Sequence, residues 1–284
     1  MALAPAIPFA IVLFFMFGCI IHWFAWAIRE WTHTPPQQQQ IVVVPRNRVR
    51  TYDLVQRLFH WLDFVVLGIM ALIGISIYLA LSNIAILLLG PVDAIMALLG
   101  INSTGAKIAT HTTFVLALLA LVVIHIVWDT AVARGWVNIW FGRTDMADAR
   151  KRARIFLGRA REYPREGKYD LFMKSYHWTL SISIVALGIT GIYFWDPLPW
   201  LIPMPLFDYA AAQLLLMTHD FFAFLLIGLA IQHIYFATIP HNWPILEGIV
   251  TGAISKDFYL EHFDAARWPP TRPAKVKRGK SANQ

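Results

Sequence analysis

Six histidines carry the chemistry in this sequence, and their spacing says which chemistry. Residues 52–61 read Tyr-Asp-Leu-Val-Gln-Arg-Leu-Phe-His-Trp and residues 169–178 read Tyr-Asp-Leu-Phe-Met-Lys-Ser-Tyr-His-Trp. Tyr52, Asp53, Leu54, His60 and Trp61 thus recur 117 positions later as Tyr169, Asp170, Leu171, His177 and Trp178, and Gly74 recurs as Gly191. Further on, Thr110-His111 through His125 recurs as Thr218-His219 through His233 at an offset of 108. Two residues 14 apart on an α-helix lie about 21 Å apart along its axis and about 40° apart around it. Each of these histidine pairs therefore shares one helix face, with its members near opposite ends. A single histidine in an apolar helix is as readily a hydrogen-bonded packing residue as a ligand. Six in repeated register are another matter, because ionisable side chains are costly at membrane depth and tend to mark function. Imidazoles facing each other from neighbouring helices are the arrangement that clamps haem iron along its axis.

The elements that must position these residues are membrane spans. Of the 284 residues 58% are hydrophobic and only 14% charged, against roughly 25% charged in a soluble domain. Apolar stretches run about Ile7–Ile28, Leu58–Leu81, Ile108–Trp128, Tyr176–Trp195 and Ala210–Ile239, each near the ~20 residues that cross a bilayer core. The first has no positive leader region and is too long for a cleaved signal, so it reads as a retained helix. A further apolar stretch, Ile84–Leu99, is short and carries Gly90, Pro91 and Asp93 at its centre; it reads as a re-entrant or interfacial loop.

Charge tests the five-span count. Of the 24 Lys and Arg, 23 fall on one side of such a topology and only Lys107 on the other, and the positive-inside rule makes the crowded side cytoplasmic. The N-terminus is then outside and the C-terminus inside. The net charge of +7 is a topology signal and a match for anionic lipid; it requires no nucleic acid. The expected fold is an all-α transmembrane helical bundle, a four-helix haem-binding core built from a two-helix duplication plus one extra N-terminal transmembrane helix. By region, this gives an N-terminal transmembrane helix at 1–32, a cytoplasmic linker at 33–49 with Pro35, Pro36 and four glutamines, and the core at 50–243. A cytoplasmic amphipathic helix at 244–268 and a basic disordered tail at 269–284 complete the chain.

On this topology His111 and His219 lie in an outer layer, and His60, His177, His125 and His233 in an inner one. The one cysteine, Cys19, excludes disulfide frameworks, cysteine-ligated iron-sulfur clusters and c-type haem attachment. Gly68, Gly74, Gly188 and Gly191 suit close approach of a porphyrin or of a neighbouring helix. Arg57 suits a haem propionate or a lipid phosphate, and Asp63 and Asp129 are candidate partners for His60 and His125. Trp61, Trp178, Trp128 and Trp195 form an aromatic belt, while His22, His33, His241 and His262 lack repeat partners and read as structural.

At these residues the chain resembles the cytochrome b (gamma) subunit of membrane-bound formate dehydrogenases, in the wider prokaryotic cytochrome b family that includes the b subunits of nickel-iron hydrogenases and thiosulfate reductases. The resemblance covers roughly residues 46–268 and rests on Arg57-x-x-His60-Trp61, on Gly167-Lys168-Tyr169 with Lys174 and Trp178, and on His219 and His233 followed by Glu247-Gly248, His262 and Arg267-Trp268. It implies two b haems, with His111 and His219 on the outer one and His60 and His233 on the inner one. It further implies a partner iron-sulfur subunit, a catalytic dehydrogenase or hydrogenase subunit, and reduction of menaquinone or another quinone near the inner surface. Lys168, Tyr169 and Asp170 are the candidate quinone contacts. The resemblance also implies the prokaryotic cytoplasmic membrane as location, and a subunit that moves electrons without itself transforming an organic substrate. Where formate dehydrogenase members carry Asn-Ala-Gly-Gln, this chain has Asp170-Leu171-Phe172-Met173.

His125 and His177 have no equivalents as ligands in that family, yet the repeat makes them the mirror images of His233 and His60. They are candidates for a third haem, for proton handling or for a quinone contact. Two other classes of function fit parts of the pattern. A proton-coupled transporter also shows repeats and intramembrane histidines, but it gathers polar groups at the midplane, where Val65–Ala71 and Ala117–Val122 are apolar here. A non-redox membrane anchor has no use for repeated histidines.

Overall fold

The computed structural model describes residues 6–32, 47–82, 86–157, 159, 163–195 and 209–269. Most of the proline and glutamine linker, and the basic tail beyond residue 269, lie outside them. The helices are α1 (Ala6–Thr32), α2 (Leu54–Ser82), α3 (Ile86–Leu98), α4 (Thr104–Trp128), α5 (Asp145–Phe156), α6 (Leu171–Trp195), α7 (Tyr209–Thr238), α8 (Trp243–Thr251) and α9 (Lys256–His262). Four of them, α2, α4 with the π-helical turn Asp129–Ala133 that extends it, α6 and α7, are long and apolar enough to cross a membrane.

The repeated Tyr-Asp-Leu explains where two of these helices start. Asp53 Oδ1 accepts the Gln56 backbone N–H at 2.8 Å and Gln56 Oε1 accepts the Asp53 N–H at 3.2 Å, a reciprocal cap on α2. Asp170 Oδ1 accepts the Met173 N–H at 2.7 Å and caps α6 in the same way. Both caps fix the same registry, so His60 and His177 stand seven residues beyond equivalent starts.

The bundle is two helical hairpins. α2 packs along α4 and α6 along α7, whereas the halves meet lightly: among the described residues α2 touches α7 over a short stretch and α4 has almost no backbone approach to α6. The N-terminal helix α1 lies along α7. Phe15 sits at Gly228, where a Cβ would collide with its ring, and His22 Nδ1 is 3.0 Å from Tyr235 Oη. Both contacts advance seven residues along each helix, so α1 and α7 run parallel. α1 contains a shorter apolar stretch, Ala10–Ala25, inside its 27 residues.

Two expectations change. Within the stretch expected to be a loop, residues 86–98 form the helix α3 with Pro91 inside it. Its 13 residues reach only about 20 Å, short of a span. It is held against α2 and α4 by Asp93, which accepts from Ser76 Oγ at 2.9 Å and from Lys107 Nζ at 2.6 Å. The hydrogen bond from Lys107 holds the Asp93 carboxyl below its usual range. Residues 244–268 are not one amphipathic helix either. Gly252 takes a left-handed φ of 88° and ends α8, against the Tyr52 carbonyl that a Cβ there would meet at 3.0 Å. Strand β2 (Ala253–Ser255) then pairs antiparallel with β1 (Arg48–Arg50), Val49 opposite Ile254, before α9 begins. The expected linker thus ends in a strand.

Val49, Ile254 and Tyr259 form a small core with Phe258, Phe263 and Trp268 packed on it. Ion pairs lock this unit under the bundle. Lys174 of α6 meets Asp145 at 2.7 Å, Arg267 meets Asp148 at 2.7 Å and Asp145 at 3.2 Å, and Arg152 reaches both Glu166 and Asp170. Burial opposes ionisation of Asp145, but Lys174, the Gly142 N–H and Arg267 outweigh it and hold the carboxyl below its usual range.

Candidate functional site

The histidines that the repeat singled out face one another across the seam between the two halves. In the layer expected to be inner, His60 of α2 and His233 of α7 have ring centroids 5.9 Å apart at an interplanar angle of 59°. A metal bound to both imidazoles at roughly 2 Å per bond spans a gap of this size. Tyr176 of α6 stacks on His233 at 5.2 Å. Its repeat equivalent, Phe59 of α2, packs edge-on against His125 of α4 at 5.6 Å. His125 in turn lies close enough to His177 of α6 for the two to interact electrostatically. In the layer expected to be outer, His111 of α4 and His219 of α7 are close enough to interact in the same way.

The outer pair is flanked symmetrically. A Cβ on Gly74 would lie 3.8 Å from His111 Cε1, and one on Gly191 would lie 3.6 Å from His219 Cε1. These are ordinary contact distances, so protein packing does not demand glycine at either position. Thr190 Oγ1 is 2.8 Å from His219 Nδ1 and donates its own proton to the Ala186 carbonyl at 2.8 Å. The hydroxyl therefore accepts from Nδ1–H, which leaves Nε2 with its lone pair available. Lys107, paired with Asp93, stands one helical turn before His111. Thr190 and Tyr176 were not singled out from sequence. Tyr176 could have been found as the repeat partner of Phe59; Thr190, whose repeat partner is Ile73, carried no signal.

These residues fit an iron porphyrin. His111 Nδ1 and His125 Nδ1 are buried with no hydrogen-bond partner among the described residues, a costly state for an imidazole unless something else engages the ring. Glycines that packing does not require leave room beside the outer pair. Among the described residues no three His, Cys, Asp or Glu converge as they would on a bare metal ion. Paired imidazoles alone suit a metal that arrives with its remaining ligands.

The acidic residues are placed differently from expectation. Asp63 faces His125 rather than His60, and Asp129, in the π-helical turn after α4, faces His177 and Lys168. Gly135 is needed there, since a Cβ would run into the Asp129 carboxylate. Arg57 donates to the Val250 carbonyl at 2.7 Å and ties α2 to α8, while its Nε stays buried and unpaired among the described residues.

Of the three quinone candidates the structure brings two together. Lys168 Nζ lies over the Tyr52 ring at 4.4 Å and over the Tyr169 ring at 5.4 Å, and the side chains of the repeat-related Tyr52 and Tyr169 lie close enough to interact. Burial pushes both phenols up and the Lys168 ammonium down to about 8, against the pull of Asp129 and Asp53. Asp170 turns away to Arg152 at 2.8 Å and to its capping role. His22 pairs with Tyr235, and His262 stacks on Phe258 at 4.1 Å with His241 5.9 Å away. His33 lies outside the described residues.

No curated protein matches the chain. The family described as prokaryotic cytochrome b561 matches residues 51–252, a stretch that holds all six paired histidines and both hairpins. The chain belongs to the prokaryotic cytochrome b561 family and is a multi-pass membrane b-type cytochrome of electron transfer, for which that family implies haem b.

Proposed function

We propose that this chain is the membrane cytochrome subunit of a multi-subunit oxidoreductase in a prokaryotic cytoplasmic membrane. It takes electrons from the iron-sulfur subunit of an extracytoplasmic dehydrogenase, of formate dehydrogenase-like or hydrogenase-like type, and delivers them to membrane quinone. The observation that carries this reading is the seam of facing imidazoles on two levels about 21 Å apart. Such a ladder relays electrons between a donor at one surface and an acceptor at the other.

In this reading His111 and His219 hold the outer haem, and His60 and His233 the inner one. The bound haem supplies a one-electron carrier, and the protein sets its ligands and surroundings. Thr190 keeps the His219 proton on Nδ1, and Tyr176 holds the His233 ring in place. Lys168, Tyr169 and the Tyr52 hydroxyl gather hydrogen-bonding groups at the inner end, where a quinone carbonyl needs donors. The quinone assignment of Asp170 weakens, since its carboxylate is engaged twice already. Reading α1 as a fifth span puts the N-terminus outside and the basic C-terminus in the cytoplasm.

The test is haem content with optical spectra of the purified chain. Alanine at position 111 or 219 removes the same haem, and alanine at 60 or 233 removes the other. Four variants that each keep the full complement and an unchanged reduced α-band rule the ligand set out. A C-terminal green fluorescent protein fusion that stays dark while an alkaline phosphatase fusion is active would overturn the orientation.

A further inference from the structure

Four imidazoles stand in the inner layer, and one bis-imidazole site uses only two. We propose that His125 of α4 and His177 of α6 hold a third b-type haem, beside the inner one and related to it by the pseudo-twofold axis of the duplication. The inference rests on the bis-imidazole reading of the other four histidines and goes beyond it.

Three observations carry it. The first is symmetry of contact as well as of sequence. The duplication exchanges α2 with α6 and α4 with α7, so it maps the facing pair His60–His233 onto His177–His125. The neighbours follow: Tyr176 lies on His233 and Phe59 on His125. The second is the state of the side chains. His125 Nδ1 is buried without a hydrogen-bond partner among the described residues, as are Asp63 Oδ1, which faces it from α2, and Trp128 Nε1, three residues on in α4. Unpaired polar atoms gathered at one place are expensive unless another group completes the site. The third is room. α4 and α6, which carry this pair, have almost no backbone approach to each other among the described residues. The four imidazoles of the layer come from four separate helices, so neither pair borrows a ligand from the other.

The two sites are not equivalent in charge. Asp63 faces His125 and Asp129 faces His177, whereas the repeat equivalents of these aspartates, beside the other pair, are Leu180 and Ala237. A carboxylate beside a ligating imidazole adds negative charge to the surroundings of the metal. That stabilises the oxidised metal, so the third haem has the lowest midpoint potential of the inner layer. Asp63 and Asp129 act as positioning residues for it.

Pyridine haemochrome analysis per polypeptide of the purified full chain decides the matter. Three haems in the unaltered protein support the proposal, with His125→Leu and His177→Leu each falling to two while His60→Leu loses a different component. Two haems in the unaltered protein overturn the third site and leave the proposed function standing; none overturns both. The unaltered protein gives this answer even where a variant fails to fold. As a second readout, Asp63→Asn keeps the haem count and raises the midpoint of the lowest component alone in a spectroelectrochemical titration. A shift spread over all components, or none, counts against the carboxylate's part.

Discussion

At the scale of single residues, the seam shows how little separates a packing histidine from a ligand. His22, with its nitrogen on Tyr235, is satisfied within the protein. His219 is half satisfied: Thr190 takes one nitrogen and leaves the other. Thr190→Val removes the acceptor while keeping the shape. We expect the affinity for the proposed outer haem to fall roughly 10–100-fold, read as loss of one haem on dilution in detergent while the other proposed component persists. Lys168 gives a pH signature. In the folded protein its ammonium loses its proton at about 8, against an ordinary value of 10.5. Between those values the unfolded chain binds more protons than the folded one, so stability rises with pH across that window and is lowest below it. Thermal unfolding from pH 7 to 10 shows this rise in the unaltered protein; Lys168→Met flattens it. An identical rise in the variant would assign the effect to another group.

At the scale of elements, the helices were legible because their signals are local. The 20-residue apolar runs and the positive-inside bias each depend on neighbours in sequence. The α3 helix and the division of residues 244–268 were not, because both depend on partners far away. Asp93 needs Lys107 and Ser76, and β2 exists because β1, some 200 residues earlier, supplies its ladder. The docking of α1 was equally hidden, and it turns on one glycine. Gly228→Val pushes Phe15 off α7 and costs about 1–3 kcal/mol, measured as a lower unfolding temperature with haem content unchanged. Beneath the bundle, Asp145→Asn leaves Lys174 buried without its counter-charge. That costs about 3–5 kcal/mol and loosens residues 253–268, which limited proteolysis reports. The exposed pair Arg48–Glu247 contributes about 1 kcal/mol or less, so Glu247→Gln is the neutral control.

At the scale of the whole molecule, every proposed cofactor joins the first hairpin to the second. His111–His219, His60–His233 and His125–His177 all pair across the seam, and direct packing there is sparse. The cofactor is then structural as well as electronic, since a ligand held only by the folded state stabilises that state. Cells starved of the haem precursor 5-aminolevulinate should accumulate less of the chain and yield protein that a protease cuts in the connection 134–170. Equal abundance and resistance with and without haem would mean that the halves hold themselves together.

The sequence by itself determined the four long apolar helices, the duplication and the level of each histidine along its helix, because hydropathy, repeat offset and the 3.6-residue period are properties of neighbouring residues. Spacing left open which imidazole faces which, and only the family resemblance implied the pairs. His125 and His233 sit at one level on the two two-histidine helices, and spacing alone allows them to pair. The tertiary structure decided otherwise, setting His60 against His233 and His125 beside His177. The physical reason is that a partner across a bundle is chosen by how whole helices pack, through contacts such as Gly74 at His111 and Gly191 at His219, and no periodicity along one chain segment encodes the distance to another.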